Sequence, residues 1–224
     1  EECLSSLKSL SRLPDEVTFE EGGLIDSLAC TLHGIERADV QVGSTAVIFG
    51  AGPAGLCFLQ LLKFRGASRV VVVDTGRVRK KLELAKQFGA EEIITSNRNA
   101  LPGEVMRLTS GIGSDLVIEA SGDPNAIAQG VQLLRMGGKL IVYATYEGPL
   151  ENLDPNQVIL KELNILGSFW FTPSTYETAI DLVASKRVEL KPMITHLFPL
   201  TQITKCFEIM DKKLEPVVKA IVQP

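Results

Sequence analysis

Short apolar runs alternate with amphipathic segments through the middle of the chain. Between the runs lie segments with helical spacing, predicted as helices over 53–65, 77–88, 99–110, 124–135 and 154–162. The first four of these helices are predicted to end at glycines, namely Gly66, Gly89, Gly111 and the pair Gly137–Gly138. The continuous β-branched character of the runs is typical of parallel strands buried on both faces. The predicted strands are TAVIFG (45–50), RVVVVD (69–74), EEIITS (91–96), DLVIEAS (115–121), KLIVYAT (139–145) and LNILGSFW (163–170).

This alternation predicts an α/β fold, a doubly wound parallel six-stranded Rossmann sheet with right-handed crossovers. The two ends of the chain depart from the alternation. A helix is predicted from Phe19 or Glu20 to about Ala38, and after residue 172 come helices over 174–185 and 201–211 and a closing strand, VVKAIVQ. We therefore expect three parts: a linking segment and helix (1–38), a nucleotide-binding domain (39–172) and a return into a second unit (173–224).

Composition narrows the classes of function. The chain has 224 residues, a net charge of −4 and 45% hydrophobic residues, and it shows no basic face that would favour nucleic acid. No apolar run approaches the roughly 18 residues of a membrane span, and the first residues lack a signal-peptide core. The cysteines form no C-x-x-C pair, which argues against a structural zinc site and suits a reducing, cytoplasmic compartment. They are Cys3, Cys30, Cys57 and Cys206.

Gly50, Gly52 and Gly55 form a G-x-G-x-x-G motif directly after the first predicted strand. In such a motif the first glycine allows a tight turn, the second lets the backbone approach a pyrophosphate, and the third lets helix and strand pack closely. Pro53 and Ala54 then begin the helix, whose N-terminus attracts phosphate. A purely structural turn, an FAD site and a methyltransferase site are weaker alternatives for this pattern.

Asp74 ends the next predicted strand, where an acid accepts the ribose hydroxyls of NAD and repels the 2′-phosphate of NADP. Basic residues follow closely, and an arginine such as Arg79 could stack on adenine or hold a 2′-phosphate. We therefore expect NAD, with NADP less favoured. The other basic residues of this group are Arg77, Lys80 and Lys81.

Several ordered motifs resemble the medium-chain, zinc-dependent alcohol dehydrogenase superfamily, with the polyol, threonine and secondary-alcohol branches nearest. They include VIFGAGPAGLCFLQLLKFRGASRVVVVD, LELAKQFGAEEIITS, GSDLVIEASGDPNAIAQGVQLLRMGGKLIVYA and FPLTQITKCFEIM. The resemblance implies an NAD-dependent enzyme in which zinc polarises a secondary alcohol or polyol. It also implies that 173–224 return to a GroES-like catalytic domain whose N-terminal part, with the first zinc ligands, is absent. The chain is therefore expected to be an inactive cofactor-binding fragment.

The resemblance places the family's third zinc ligand at Asp26, although Ser27 stands where polyol and threonine relatives have proline. Helix capping is the alternative role for Asp26. Cys30 lies one turn onward and misses the alignment, so we interpret it as core. His33 and His196 are interpreted as structural.

Ligands bind beyond the carboxyl ends of the strands in sheets of this kind. Residues that end the later strands are therefore predicted to flank the nicotinamide: Ala120, Ser121, Ala144, Thr145 and Phe169, with Trp170 beside them. The resemblance implies a homodimer or homotetramer that pairs through the edge strand 164–170. A zinc-independent quinone reductase and a stand-alone NAD-binding module remain alternative functions.

Overall fold

The computed structural model describes residues 10–95, 100–148, 150 and 153–224. A parallel sheet of six strands forms its centre: β1 (Thr45–Phe49), β2 (Arg69–Val73), β3 (Glu92–Ile94), β4 (Ser114–Glu119), β5 (Leu134–Val142) and β6 (Asn164–Gly167). The order across the sheet is β3-β2-β1-β4-β5-β6. This order is that of the doubly wound dinucleotide-binding fold, so the predicted fold class is confirmed.

Eight α-helices occur in the described parts of the chain: α1 (Phe19–Ala38), α2 (Pro53–Phe64), α3 (Arg79–Gln87), α4 (Leu101–Leu108), α5 (Pro124–Leu133), α6 (Pro155–Leu160), α7 (Pro173–Ala184) and α8 (Ile203–Lys212). A second sheet contains β7 (Ile194–Pro199) and β8 (Lys219–Gln223), which pair in parallel. None of the described helices combines the length and apolarity that a bilayer span requires.

The central strands contain consecutive apolar residues because successive side chains enter two different cores. On β1, Ala46 and Ile48 belong to one buried cluster, which also contains side chains of α1, α2 and α7. Val47 and Phe49 belong to a second cluster, which contains side chains of α4 and α5. A strand with helices on both faces gains nothing from alternating polar residues, and this explains the continuous runs.

Helix α1 is attached firmly to the large sheet. Its N-terminus carries a capping box in which Thr18 and Glu21 exchange side-chain and backbone hydrogen bonds. At its C-terminus, the Lys139 ammonium on β5 donates to the Ala38 carbonyl at 2.5 Å. Buried apolar side chains of α1 pack with those of α2 and α7 in one cluster. The boundary predicted at residues 38 and 39 remains a prediction.

Two sequence predictions about β5 and β6 were wrong. The pair Gly137–Gly138 lies inside β5 and does not end a helix, because α5 already ends at Leu133. At this helix end the Lys161 ammonium donates to the carbonyls of Val131, Gln132 and Leu134 at 3.2, 2.9 and 3.0 Å. The edge strand predicted over 163–170 stops at Gly167. Trp170 has a φ of 62°, a left-handed conformation that no strand can contain.

Candidate cofactor site

The turn between β1 and α2 is built for close backbone approach. Gly50 has a φ of 101° and donates its N–H to the Val73 carbonyl on β2 at 2.7 Å. A Cβ at Gly55 would lie 1.8 Å from the Gly50 carbonyl oxygen, so only glycine allows α2 to pack this closely on the turn. The first and third glycines of the motif therefore serve the local fold.

The second glycine of the motif faces open space. Gly52 is the N-cap of α2, and a Cβ placed there would meet no atom within 4 Å. Pro53 is the first residue of the helix and Ala54 the second, and no acidic side chain lies in the first turn. An open backbone surface at the positive end of a 12-residue helix fits a pyrophosphate.

Asp74 connects the glycine turn with the end of β2. Its carboxylate accepts the N–H of Ala51 at 2.9 Å through one oxygen and the N–H of Gly76 at 2.9 Å through the other. A carboxylate has about four lone-pair positions, so each oxygen retains one for a further donor. Asp74 is half-buried and lines a cleft of about 770 Å³ together with Gly50 and Gly52. Its geometry suits a ligand that carries neighbouring hydroxyl groups.

The basic residues near Asp74 differ in where they point. Arg77 and Lys81 line the cleft, whose far wall is formed by the end of α8 and the segment 213–217. The exposed Arg79 pairs instead with Glu83 one turn along α3 at 3.1 Å and is not among the cleft-lining residues. The cofactor role predicted for Arg79 therefore has no geometric support, and it stays a prediction.

A second cavity of about 460 Å³ continues the cleft along the carboxyl ends of β4, β5 and β6. The two cavities share Ala120 and Ser121. The structure thus brings together the strand-end residues singled out in the sequence, and it adds Cys30 from α1. The residues lining this second cavity are Cys30, Ala120, Ser121, Gly122, Tyr143, Ala144, Thr145, Ser168, Phe169 and Trp170.

Behind Ser121 lies a carboxylate that sequence reasoning missed. Glu119, the last residue of β4, has no exposed surface. Its Oε1 accepts the N–H of Ser121 at 2.7 Å, the Ser121 hydroxyl at 2.5 Å and the N–H of Gly122 at 3.0 Å, and its Oε2 accepts the hydroxyl of Tyr146. Burial and the hydrogen bond to Glu119 raise the pKa of the Tyr146 phenol. An acid directly after the apolar residues LVI of the run DLVIEAS was the available signal.

Helix α1 contributes the Cys30 thiol to the wall of the second cavity, and the Asp26 carboxylate lies one turn before it. Burial and then the charge of Asp26 raise the pKa of the Cys30 thiol to about 11. Burial also raises the pKa of the Tyr143 phenol, with smaller contributions from Cys30 and Asp26 among others. Asp26 itself is exposed, one turn before Cys30. The prediction that Cys30 is a core residue is therefore only partly right, because its half-buried side chain also borders the cleft.

The remaining cysteine and histidine side chains of interest lie away from the two cavities' strand-end residues. Cys57 is fully buried, and burial raises its thiol pKa to about 12. His196 stands between the Thr195 hydroxyl at 2.9 Å and the Glu215 carboxylate at 3.0 Å. Within the described ranges, no three histidine, cysteine, aspartate or glutamate side chains gather as a metal site. Asp26 is thus one potential ligand and not a complete set, and Cys3 lies outside the described residues.

The strand order and the glycine turn define the Rossmann class of nucleotide-binding folds. A family model described as "Zinc-binding dehydrogenase" matches residues 53–185, more than half of the chain. The chain therefore belongs to the zinc-binding dehydrogenase family, and the resemblance noted in the sequence is confirmed.

Curated relatives include D-xylulose reductase of Saccharomyces cerevisiae, 35% identical over 202 residues that cover 88% of this chain and 56% of the relative. Sorbitol dehydrogenase of Homo sapiens is 34% identical over 206 residues, which cover 91% and 56% of the two chains. The chain thus spans little more than half the length of these relatives.

Solved structures include an Escherichia coli oxidoreductase/dehydrogenase of unknown specificity, with a TM-score of 0.87, 29% identity and coverage of 94% of this chain and 59% of that one. 2R,3R-butanediol dehydrogenase of Bacillus subtilis gives a TM-score of 0.85 at 25% identity, covering 95% and 60%. The whole described architecture therefore recurs among dehydrogenases.

Proposed function

We propose that this chain binds NAD and supplies the cofactor-binding part of a zinc-type dehydrogenase that oxidises a secondary alcohol or polyol. The observation that carries the proposal is Asp74, fixed by two backbone N–H groups at the end of β2 and facing the same cleft as Gly52. The names of the relatives, sorbitol dehydrogenase and D-xylulose reductase, support a polyol as the substrate class.

The geometry favours NAD over NADP. The remaining lone pairs of Asp74 suit the two ribose hydroxyls, whereas a 2′-phosphate would place like charges within a few ångströms. Arg77 and Lys81 line the same cavity and oppose this effect. Asp74 dominates because its carboxylate is half-buried and held at both oxygens, while Arg77 is exposed to screening solvent.

The chain's own residues hold and orient the cofactor. Bound zinc would act as a Lewis acid on the alcohol oxygen, and NAD would accept the hydride. We propose Asp26 as one zinc ligand, since a carboxylate oxygen is a normal ligand and the residue stands one turn from the cleft-lining Cys30. A catalytic zinc needs three protein ligands, so the others would come from outside the described residues.

We also propose self-association along β6. Its outer edge is unpaired in the described sheet, and Ile165 on this strand is 41% exposed. Phe169 and Trp170 continue the apolar surface. Pairing of two β6 strands from two copies would satisfy their free backbone groups.

Calorimetric titration of the chain with NAD and NADP tests the cofactor assignment. Asp74→Ala should weaken NAD roughly 100-fold, because two hydrogen bonds to a charged group are lost, and should weaken NADP far less. Glu83→Gln is the matched control, since it removes a negative charge from the adjacent helix outside the cleft. Equal losses for both cofactors with Asp74→Ala would contradict the ribose role. The isolated chain is expected to bind NAD without oxidising alcohols.

A further inference from the structure

Glu119 is a buried carboxylate with four donors and no cation. All four hydrogen bonds enter its oxygens, from the N–H and hydroxyl of Ser121, the N–H of Gly122 and the phenol of Tyr146. Two of these donors are backbone N–H groups, which can only donate, so Oε1 acts purely as an acceptor. Within the part of the chain that the structure describes, no ion pair includes Glu119.

In its ionised form Glu119 carries a negative charge that no cation of the described residues pairs with. The raised pKa of Tyr146 keeps that phenol neutral, so its hydrogen bond brings no opposite charge to Glu119. Burial of a charge is costly unless it is well paired or hydrogen-bonded. Here dipoles stabilise the charge without neutralising it, so its potential extends to the neighbouring surface.

That surface is the part of the cleft beside β4 to β6. Ser121 and Gly122, which bond directly to Glu119, line the second cavity. A dinucleotide spans the two halves of such a sheet, and Asp74 stands in the half beside β1 and β2. The nicotinamide end therefore falls beside β4 to β6, one hydrogen bond in front of Glu119. Its ring is cationic in NAD⁺ and neutral in NADH.

We propose that Glu119 shifts the binding preference of the site toward the oxidised cofactor, by placing a buried negative charge behind the nicotinamide pocket. Glu119 is a positioning residue in this scheme, since it reaches the cofactor only through Ser121 and Gly122. The inference rests on the proposed function, namely that the cleft binds NAD. A purely structural role would instead predict equal effects on both cofactor forms.

The test measures the dissociation constants of NAD⁺ and NADH with Glu119→Gln. Glutamine keeps the shape of the side chain and removes the charge. The ratio Kd(NAD⁺)/Kd(NADH) should rise roughly tenfold, as expected for a unit charge several ångströms away in a partly buried site. Asp123→Asn is the matched control, because asparagine retains the capping function at the start of α5 and the residue is only half-buried. For Asp123→Asn the ratio Kd(NAD⁺)/Kd(NADH) should change less than about threefold.

Tyr146→Phe provides a second variant that leaves the charge in place. The phenol dipole offsets part of the carboxylate's negative potential, so its removal should lower the ratio, opposite to the effect of Glu119→Gln. An unchanged ratio with Glu119→Gln, or a tenfold rise with Tyr146→Phe, would overturn the inference. If Glu119→Gln does not fold, Tyr146→Phe decides alone: a lowered ratio supports the inference, and an unchanged or raised ratio overturns it. Failure of the folded, unsubstituted chain to bind either form would overturn the proposed function itself, and with it the inference.

Discussion

The two halves of the cleft are built by different means. Beside β1 and β2 the wall is mainly backbone: the open Gly52, and the Ala51 N–H that binds Asp74. Beside β4 to β6 the wall includes large side chains from distant segments, among them Tyr143 and Trp170. A backbone wall can be specified by one short motif, whereas a side-chain wall exists only after the sheet and α1 have assembled.

The carboxylates at the ends of β2 and β4 show the same contrast. Asp74 is half-buried and keeps lone pairs available to a ligand in the cleft. Glu119 is fully buried, and the hydrogen bonds that it accepts come from the turn after β4 and from Tyr146 beyond β5. One acid is suited to contact a ligand directly, and the other to act through the loops it holds.

The largest effect is expected from a methyl group in the backbone-built half. Gly55→Ala places a Cβ 1.8 Å from the Gly50 carbonyl, so the turn and α2 must separate. We expect a loss of about 1–3 kcal/mol in the free energy of unfolding and a large loss of NAD affinity. Chemical denaturation and titration measure the two effects.

Gly103→Ala is the control for this change. Gly103 lies in α4 with no atom within 4 Å of the added Cβ, so alanine should stabilise the helix slightly. Similar stabilities for the two alanine variants would show that the close approach at Gly55 is not a constraint.

An intermediate effect is expected at Cys30, which probes the side-chain half. Its thiol pKa of about 11 lies above neutral pH, so the reactive thiolate is scarce at pH 7 and should increase about tenfold for each pH unit below the pKa. Iodoacetamide labelling, followed residue by residue with mass spectrometry, should show this rise. NAD should protect Cys30 more than ADP-ribose does, since only NAD fills the nicotinamide end.

Cys57 supplies the internal control for labelling, because it is fully buried with a thiol pKa of about 12 and should stay unlabelled in the folded protein. Equal protection of Cys30 by NAD and ADP-ribose would mean that the ligand does not reach the second cavity.

The smallest effect is expected in fluorescence. Trp170 is the single tryptophan of the chain and is 60% exposed at the edge of the second cavity. NAD should quench its emission modestly, while AMP, which occupies only the adenosine half, should not. If AMP quenched the emission of Trp170 as strongly as NAD does, the adenosine half of the ligand would lie beside Trp170, contrary to this prediction.

The half of the cleft beside β1 and β2 was largely predictable from sequence. The glycine motif, its position after a strand and Asp74 at the end of the next strand lie within 25 residues of one another, from Gly50 to Asp74. Such features depend on local geometry, which short stretches specify. Arg79 shows the limit of this approach, because α3 directs it toward Glu83 while Arg77 and Lys81 line the cleft.

The half of the cleft beside β4 to β6 could be described only from the folded chain. Strand ends such as Ala144 and Thr145 follow from topology, but the approach of Cys30 depends on how α1 packs against α2. The end of β6 was also not predicted, since the run SFWF continues after the strand has ended at Gly167 and its Trp170 is left-handed.

The sequence by itself determined the six-stranded doubly wound sheet, the glycine turn and the acid at Asp74, because hydrophobic periodicity and backbone sterics act over short distances along the chain. Only the tertiary structure decided which side chains meet across the sheet. The hydrogen bond that Tyr146 donates to Glu119 joins the ends of β4 and β5, and no local pattern encodes a contact between residues so far apart in the chain.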